Sequence, residues 1–139
     1  MMYEMLLGHL MGDYLFQTEW MAMNKSKDGM SGAKAAIVHC LLYTFAVCLF
    51  MWNFQPIWIC AVYLSHYPID RFALGEKYMH YLKGKGLKDY VNKDNDNWKS
   101  INNLNRYDVL EGGFSAVVYT ITDNTIHLIL MYLAYKLIY

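Results

Sequence analysis

Apolar side chains are gathered into four runs, 3–23, 35–52, 55–74 and 114–139, and most polar ones fall in the stretches between them. Each run is long enough for a helix to cross the hydrocarbon core of a bilayer, which takes ~20 residues. The second run leaves no face fit for water and reads as a membrane span or a fully buried helix. The other three are interrupted by His, Asp and Glu. A charged Asp at mid-helix costs roughly 2.5–3.5 kcal/mol on insertion scales, so such residues need a reason to be there. The pattern predicts an all-α protein, a four-helix transmembrane bundle forming one domain over 1–139. Its spans are expected at 3–23, 35–52, 55–74 and 114–135, with a polar cytoplasmic loop at 75–113 between the third and fourth helices.

Composition and charge sharpen this. The 139 residues are 56% hydrophobic and 17% charged, against roughly a quarter charged in soluble proteins. Disorder and a uniformly basic nucleic-acid module are excluded, and no nucleic-acid partner is expected. A mean hydropathy of +0.11 averages very different stretches and guides little. Of the 12 Lys and Arg residues, all but Lys136 fall in 24–34 or 71–113, two stretches that four spans would leave on one side. Basic residues in short loops stay cytoplasmic, so both termini are expected outside the cytoplasm. Without a basic leader, and with acidic residues in the first run, no cleavable signal peptide is expected. Trp20, Trp52, Trp58, Tyr132, Tyr135 and Tyr139 near the run ends suit headgroup-level rings, or a core. Cys40, Cys48 and Cys60 lack metal or disulfide spacing and read as small buried hydrophobes. A short helix is expected around 98–104.

The candidate chemistry lies in the polar residues inside the apolar runs. His9 and Asp13, His66 and Asp70, and Asp123 and His127 are each spaced i, i+4, one turn apart on one helix face. With His39 they supply four histidines and three aspartates, the inventory of one rich metal site or a two-metal centre. The alternatives are a proton relay or a structural hydrogen-bonded core, since ionisable residues inside a membrane are normally paired. Imidazole with carboxylate and no thiolate favours zinc, manganese or iron, one or two ions. Three aspartates around two divalent ions leave one positive charge, and around one ion a negative one, so an anionic substrate would call for two. Gln17, four residues beyond Asp13, is on the expected face to orient a ligand or touch substrate. Gly12 would let another helix approach. Pro68 removes a helical hydrogen bond between His66 and Asp70. Arg71 is a positive-inside anchor or a phosphate partner.

His9, Gly12, Asp13 and Gln17, followed by Trp20, Met21, Ala22 and Lys25, resemble the opening signature of an uncharacterised family of small bacterial and phage integral-membrane proteins. The blocks at 39–43 and 66–70 continue the match. That family is similar to inner-membrane metal-dependent hydrolases with helical His and Asp motifs, and the resemblance implies the bacterial inner membrane.

The function expected from these residues is metal-dependent hydrolysis of a phosphoester or other polar ester at the cytoplasmic side. Asp13, Asp70 and Gln17 are the candidate catalytic residues. A bound metal makes hydroxide near neutral pH and stabilises charge on a phosphoryl oxygen. No nucleophile elbow or phosphate-binding glycine loop occurs. Membrane lipids and an anionic phosphoester are the expected partners, and an oligomer is compatible with so small a chain. The alternatives are a non-enzymatic metal or proton transporter, a phage-type host-interaction membrane protein, or a soluble helical metallohydrolase. The last lacks the consecutive His-Asp of one such superfamily and gives no reason for the loop-charge bias.

Overall fold

The computed structural model describes residues 2–83 and 106–139, and these residues form helices with no strand among them. In chain order they are α1 (Met2–Leu10), a π-helical turn (Met11–Leu15), α2 (Glu19–Asn24), α3 (Gly29–Met51), α4 (Pro56–Arg71), α5 (Leu74–Lys83) and α6 (Arg106–Ile138). They fall into two compact units, Met1–Ala73 with Ile126–Tyr139, and Leu74–Thr125.

In the first unit α3 is the post against which α1, the π turn, α2 and α4 pack. Small residues set how closely. A Cβ on Gly8 would lie 2.7 Å from the Val47 Cα, and one on Gly12 would lie 2.6 Å from the Tyr43 ring. Gly8 and Gly12, one turn apart, thus let α1 and the π turn press on α3, as small residues do in membrane bundles. At one end of the unit Met5, Val47, Cys48, Trp58, Val62 and Met131 form a buried apolar cluster joined by Tyr135. Tyr139 Oη closes that end, accepting from Asn53 Nδ2 at 3.0 Å and donating to Gln55 Oε1 at 2.8 Å. At the other end Arg71 Nη1 donates to the Lys27 carbonyl at 2.8 Å.

Helix ends follow local chemistry. The π turn closes with Phe16 N–H on the Met11 carbonyl, and Thr18 then leaves helical geometry and accepts from Met21 N–H at 3.3 Å to cap α2. α3 ends where Trp52 takes the left-handed conformation (φ 49°) and Asn53 N–H returns to the Cys48 carbonyl, the usual way of satisfying last-turn carbonyls. Pro56 opens α4, where a missing N–H costs nothing. Ala73, also left-handed at φ 48°, closes the unit.

Two of the four expected spans are corrected. The run 3–23 is two helices parted by the π turn and the Phe16–Thr18 break, because the Thr18 cap and the wide π turn end the helix that apolarity alone would continue. The run 55–74 yields a helix of 16 residues, ~24 Å long at 1.5 Å per residue against a core of ~30 Å. Among the described residues two helices are long and apolar enough to cross a membrane, Gly29–Met51 and Gly113–Ile138. The four-helix transmembrane bundle therefore reduces to an all-helical chain with two candidate spans.

The expected loop at 75–113 is partly helical. α5 covers its start, with Leu74, Tyr78, Met79 and Leu82 at helical spacing and Met79 buried, and α6 begins at Arg106. The helix expected at 98–104 lies outside the described residues. In this second unit the Asp123 carboxylate stands against Gly75 so closely that a Cβ there would collide with it. Of the cysteines, Cys40 and Cys48 are buried, but Cys60 is exposed because it lies on the outward side of α4. Trp58 is fully buried, the core alternative for that ring.

Beside its apolar cluster the first unit also buries polar side chains and turns large apolar ones outward. Its buried residues include His9, His39, His66, Asp70 and His127, while Leu6, Leu7, Ile37, Leu41, Phe45 and Leu64 face outward. An apolar groove of about 470 Å³ runs along α3 and α4 between Leu41, Phe45, Phe54 and Ile59.

Candidate metal centre

Four elements of the first unit each bring polar side chains to one buried place. Asp13 comes from the π turn, His39 from α3, His66 and Asp70 from successive turns of α4, and His127 from α6. Single π turns inside helices recur at functional sites because they re-aim a side chain. Here the π turn carries Asp13 toward α3 while keeping its second oxygen, Oδ2, 3.4 Å from His9 Nδ1.

The closest atoms are His39 Nε2, His66 Nε2 and Asp70 Oδ2, separated by 3.0, 2.8 and 3.0 Å. Asp13 Oδ1 stands 3.3 Å from His39 Nε2 and 3.6 Å from His66 Nε2, without a well-aligned hydrogen bond to either. Bonds of about 2.0–2.1 Å to zinc put neighbouring donor atoms about 3.3 Å apart in a tetrahedron and about 3.0 Å apart in an octahedron. His39, His66 and Asp70 thus have the spacing and donor chemistry that could hold a metal ion, and Asp13 with His66 and His127 forms a second such group. His127 Nε2 is 3.7 Å from Asp70 Oδ1, and its ring lies 4.2 Å from that of His66.

The rings are held by stacking as much as by hydrogen bonds. Tyr43 stacks on His66 at 3.5 Å between centroids and 16° between planes, and its hydroxyl is 2.9 Å from His9 Nδ1. The Nδ1 atoms of His39 and His66 are buried without a hydrogen-bond partner, so among the described residues no carbonyl or carboxylate locks those rings from behind, as usually happens at metal-bound histidines. The Tyr43 face does that work for His66.

Among the described residues, Lys25 brings the one positive side chain in direct contact with the cluster. Its Nζ donates to Asp70 Oδ2 at 2.9 Å and to Gln17 Oε1 at 2.7 Å. Gln17 therefore reaches the cluster, though not as a continuation of the α1 face: it lies in the break after the π turn. Gly12 provides the close approach expected of it. Arg71 points to the Lys27 carbonyl and pins the loop that carries Lys25.

Of the residues singled out in the sequence, His9, Asp13, Gln17, His39, His66, Asp70 and His127 belong to the first unit and meet there, while Asp123 belongs to the second. Two neighbours had no role assigned from sequence. Tyr43 was within reach of the same spacing rule, being four residues from His39. Lys25 was not, because a helix break separates it from Asp13 and Gln17, and in the sequence it looked like one more loop cation.

A small helical chain with an apolar exterior and a buried imidazole–carboxylate cluster is the class that fold and site define. The chain belongs to the family described as protein of unknown function DUF3307, whose profile matches residues 1–139. No curated protein and no solved structure matches it.

Proposed function

We propose that this is a membrane-embedded metalloprotein that binds a divalent ion on His39, His66, Asp70 and Asp13 and uses it to hydrolyse a phosphoester. The observation that carries the reading is the convergence of two Nε2 atoms and two carboxylate oxygens at 2.8–3.6 Å. They converge in the interior of a unit whose outer face is apolar. Ionisable groups buried in a membrane are expensive and are kept for function. Zinc, manganese or iron suits the donors.

Charge counting favours one ion where the sequence called for two. Two carboxylates against one divalent ion and the Lys25 ammonium leave one positive charge, enough to hold hydroxide and attract an anionic ester. A divalent ion held there would supply an activated water and charge stabilisation for a phosphoryl oxygen, and Asp13, at 11% exposure the more accessible carboxylate, would be the group placed to share the proton of that water. His9 and His127 border the site, and Asp70 and Gln17 orient it.

For location we propose a bacterial inner membrane with the basic stretches 24–34 and 71–113 in the cytoplasm and both termini opposite. The Arg71–Lys27 bond and the Tyr139 bonds to Asn53 and Gln55 lie at opposite ends of the first unit, which supports that sidedness. The 3.0 Å contact between His39 and His66 Nε2 favours one second reading, a metal or proton transporter using the same cluster.

The test is metal analysis of detergent-purified protein followed by turnover of a phosphoester panel. About one divalent ion per chain with hydrolysis in detergent is expected. An ion-free protein would overturn the metal centre, and a loaded protein without turnover, active only in sealed vesicles, would select the transporter.

A further inference from the structure

Asp70 Oδ2 is the most heavily used atom of the cluster. It meets His39 Nε2, His66 Nε2 and Lys25 Nζ, all within 3.0 Å. The first two are metal-donor atoms in the reading above, on which this inference rests. Lys25 is different in kind: an ammonium donates and never ligates a metal while protonated. With a metal–oxygen bond of about 2.1 Å and the observed 2.9 Å from Oδ2 to Nζ, ammonium and ion stand within about 5 Å of each other. Asp70 Oδ2 lies between the two charges, and the one positive charge left after both carboxylates are counted is available to a further anion that touches both.

Much of the local structure serves to hold this lysine in place. Lys25 caps the C-terminus of α2, whose start is fixed by Thr18 and whose exit loop is fixed by Arg71 on the Lys27 carbonyl. Gln17 Oε1 accepts one ammonium proton and Asp70 Oδ2 a second. An ammonium has three, and the Lys25 side chain is 17% exposed where Asp70 is 3%. A donor therefore remains at the rim of the cluster. The Gln17 amide, its oxygen already committed to Lys25, has its two N–H groups as further donors. A plain counterion for Asp70 would need neither Gln17 nor the access.

We propose that Lys25, oriented by Gln17, is the subsite that holds a tetrahedral oxyanion beside the metal: the phosphoryl group of the substrate. Lysine binds phosphate as a point charge, and one phosphoryl group carries oxygens for both the ion and the ammonium. The phosphoryl group belongs to a lipid headgroup or to a soluble phosphorylated molecule, and both present the same chemistry to the site.

The experiment loads the full chain in detergent with Co²⁺ and follows its visible spectrum while inorganic phosphate is added. In the natural protein phosphate shifts the cobalt bands. Lys25→Met binds cobalt at least as tightly, because a repelling charge is gone, and binds phosphate at least tenfold more weakly. Lys25→Gln, which can still hydrogen-bond to Asp70, does the same should the Met variant fail to fold, and Lys25→Arg keeps phosphate binding within a few-fold. Opposite signs for metal and anion are the mark of a substrate-facing charge. A parallel weakening of both, or unchanged phosphate affinity, overturns the proposal. So does a natural protein that binds cobalt but does not respond to phosphate or to phosphatidic acid. A natural protein that does not bind cobalt removes the metal reading itself, a distinguishable failure. Nanodiscs of phosphatidic acid against phosphatidylcholine identify the source: a shift with the former alone assigns the phosphoryl group to a lipid, and a shift with inorganic phosphate alone assigns it to a soluble molecule.

Discussion

Where Met5, Val47, Cys48, Trp58, Val62 and Met131 meet, the first unit is filled by apolar side chains, whereas eight residues along the same helices, at His39 on α3 and His66 on α4, it is filled by imidazoles and carboxylates. Eight residues of helix are ~12 Å, so one pair of helices changes its means of cohesion in little more than two turns. The apolar end is held by close packing, in which every side chain has partner atoms on all sides and a void on any side would weaken it. The polar end is held by charge-assisted pairs that must compensate one another, two carboxylates against the Lys25 ammonium and the buried imidazoles.

The largest effects should separate the two ends. Trp58→Ala removes a fully buried indole packed edge-on against Tyr135 at 5.6 Å, a change of about 3–5 kcal/mol in stability. Thermal or denaturant unfolding in detergent should show it, with metal per folded chain unchanged. If metal is lost from the protein that stays folded, the two ends are one cooperative element and the comparison fails. Asp70→Ala acts the other way. It strands Lys25 beside two imidazoles, and breaking a buried pair costs about 3–5 kcal/mol. Lys25 is partly exposed, which brings the expected loss to about 2 kcal/mol. Metal should fall to the background of an unrelated membrane protein, while Asp70→Asn keeps the shape and loses most of the metal.

How much of this was legible follows the same division. The four apolar runs, the i, i+4 pairs and the place of His39 can be read because helical periodicity is local, and it brought six of the seven proposed ligands to one unit. What could not be read depends on geometry that periodicity does not encode. The π turn at Met11–Leu15 and the break before Thr18 split a run that hydropathy reads as one segment, and they decide where Gln17 and Lys25 go. The shortness of α4 is set by Pro56 and by Ala73 at positive φ, neither of which interrupts the hydropathy. Asp123 matches His127 by spacing as well as Asp70 matches His66, and it belongs to the second unit, where its carboxylate lies against Gly75. Spacing along one helix says which face two residues share and nothing about what that face meets.

A smaller effect sharpens the role of close approach. Gly8→Ala sets a methyl 2.7 Å from the Val47 Cα, a collision with backbone that cannot rotate away, so α1 must lift from α3. Overpacking of this kind costs about 1–3 kcal/mol. Because His9 adjoins Gly8 and Asp13 follows a turn later, the lift should also weaken metal binding, which Trp58→Ala should not. A Gly8→Ala protein with reduced stability and natural metal affinity would mean that α1 seats the apolar end alone.

The smallest effect comes from the residue that belongs to both ends. Tyr43 stacks its ring on His66, sets its hydroxyl 2.9 Å from His9 Nδ1, and reaches Met131 Sδ at 3.8 Å as a donor to a weak acceptor. Tyr43→Phe deletes the hydroxyl and keeps the ring. One net hydrogen bond is worth about 1 kcal/mol, and an outer-shell contact to a metal site about 10–100-fold in metal affinity. The hydroxyl touches His9, which borders the proposed donor set, while the ring touches His66, which belongs to it. Tyr43→Phe should therefore lose about 1 kcal/mol of stability and at most tenfold in affinity, whereas Tyr43→Ala, which removes the stack, should lose far more metal. Isothermal titration of the two variants with zinc checks the order. If Phe weakens metal binding as much as Ala does, His9 is itself a ligand, and the donor set extends from the π turn into α1.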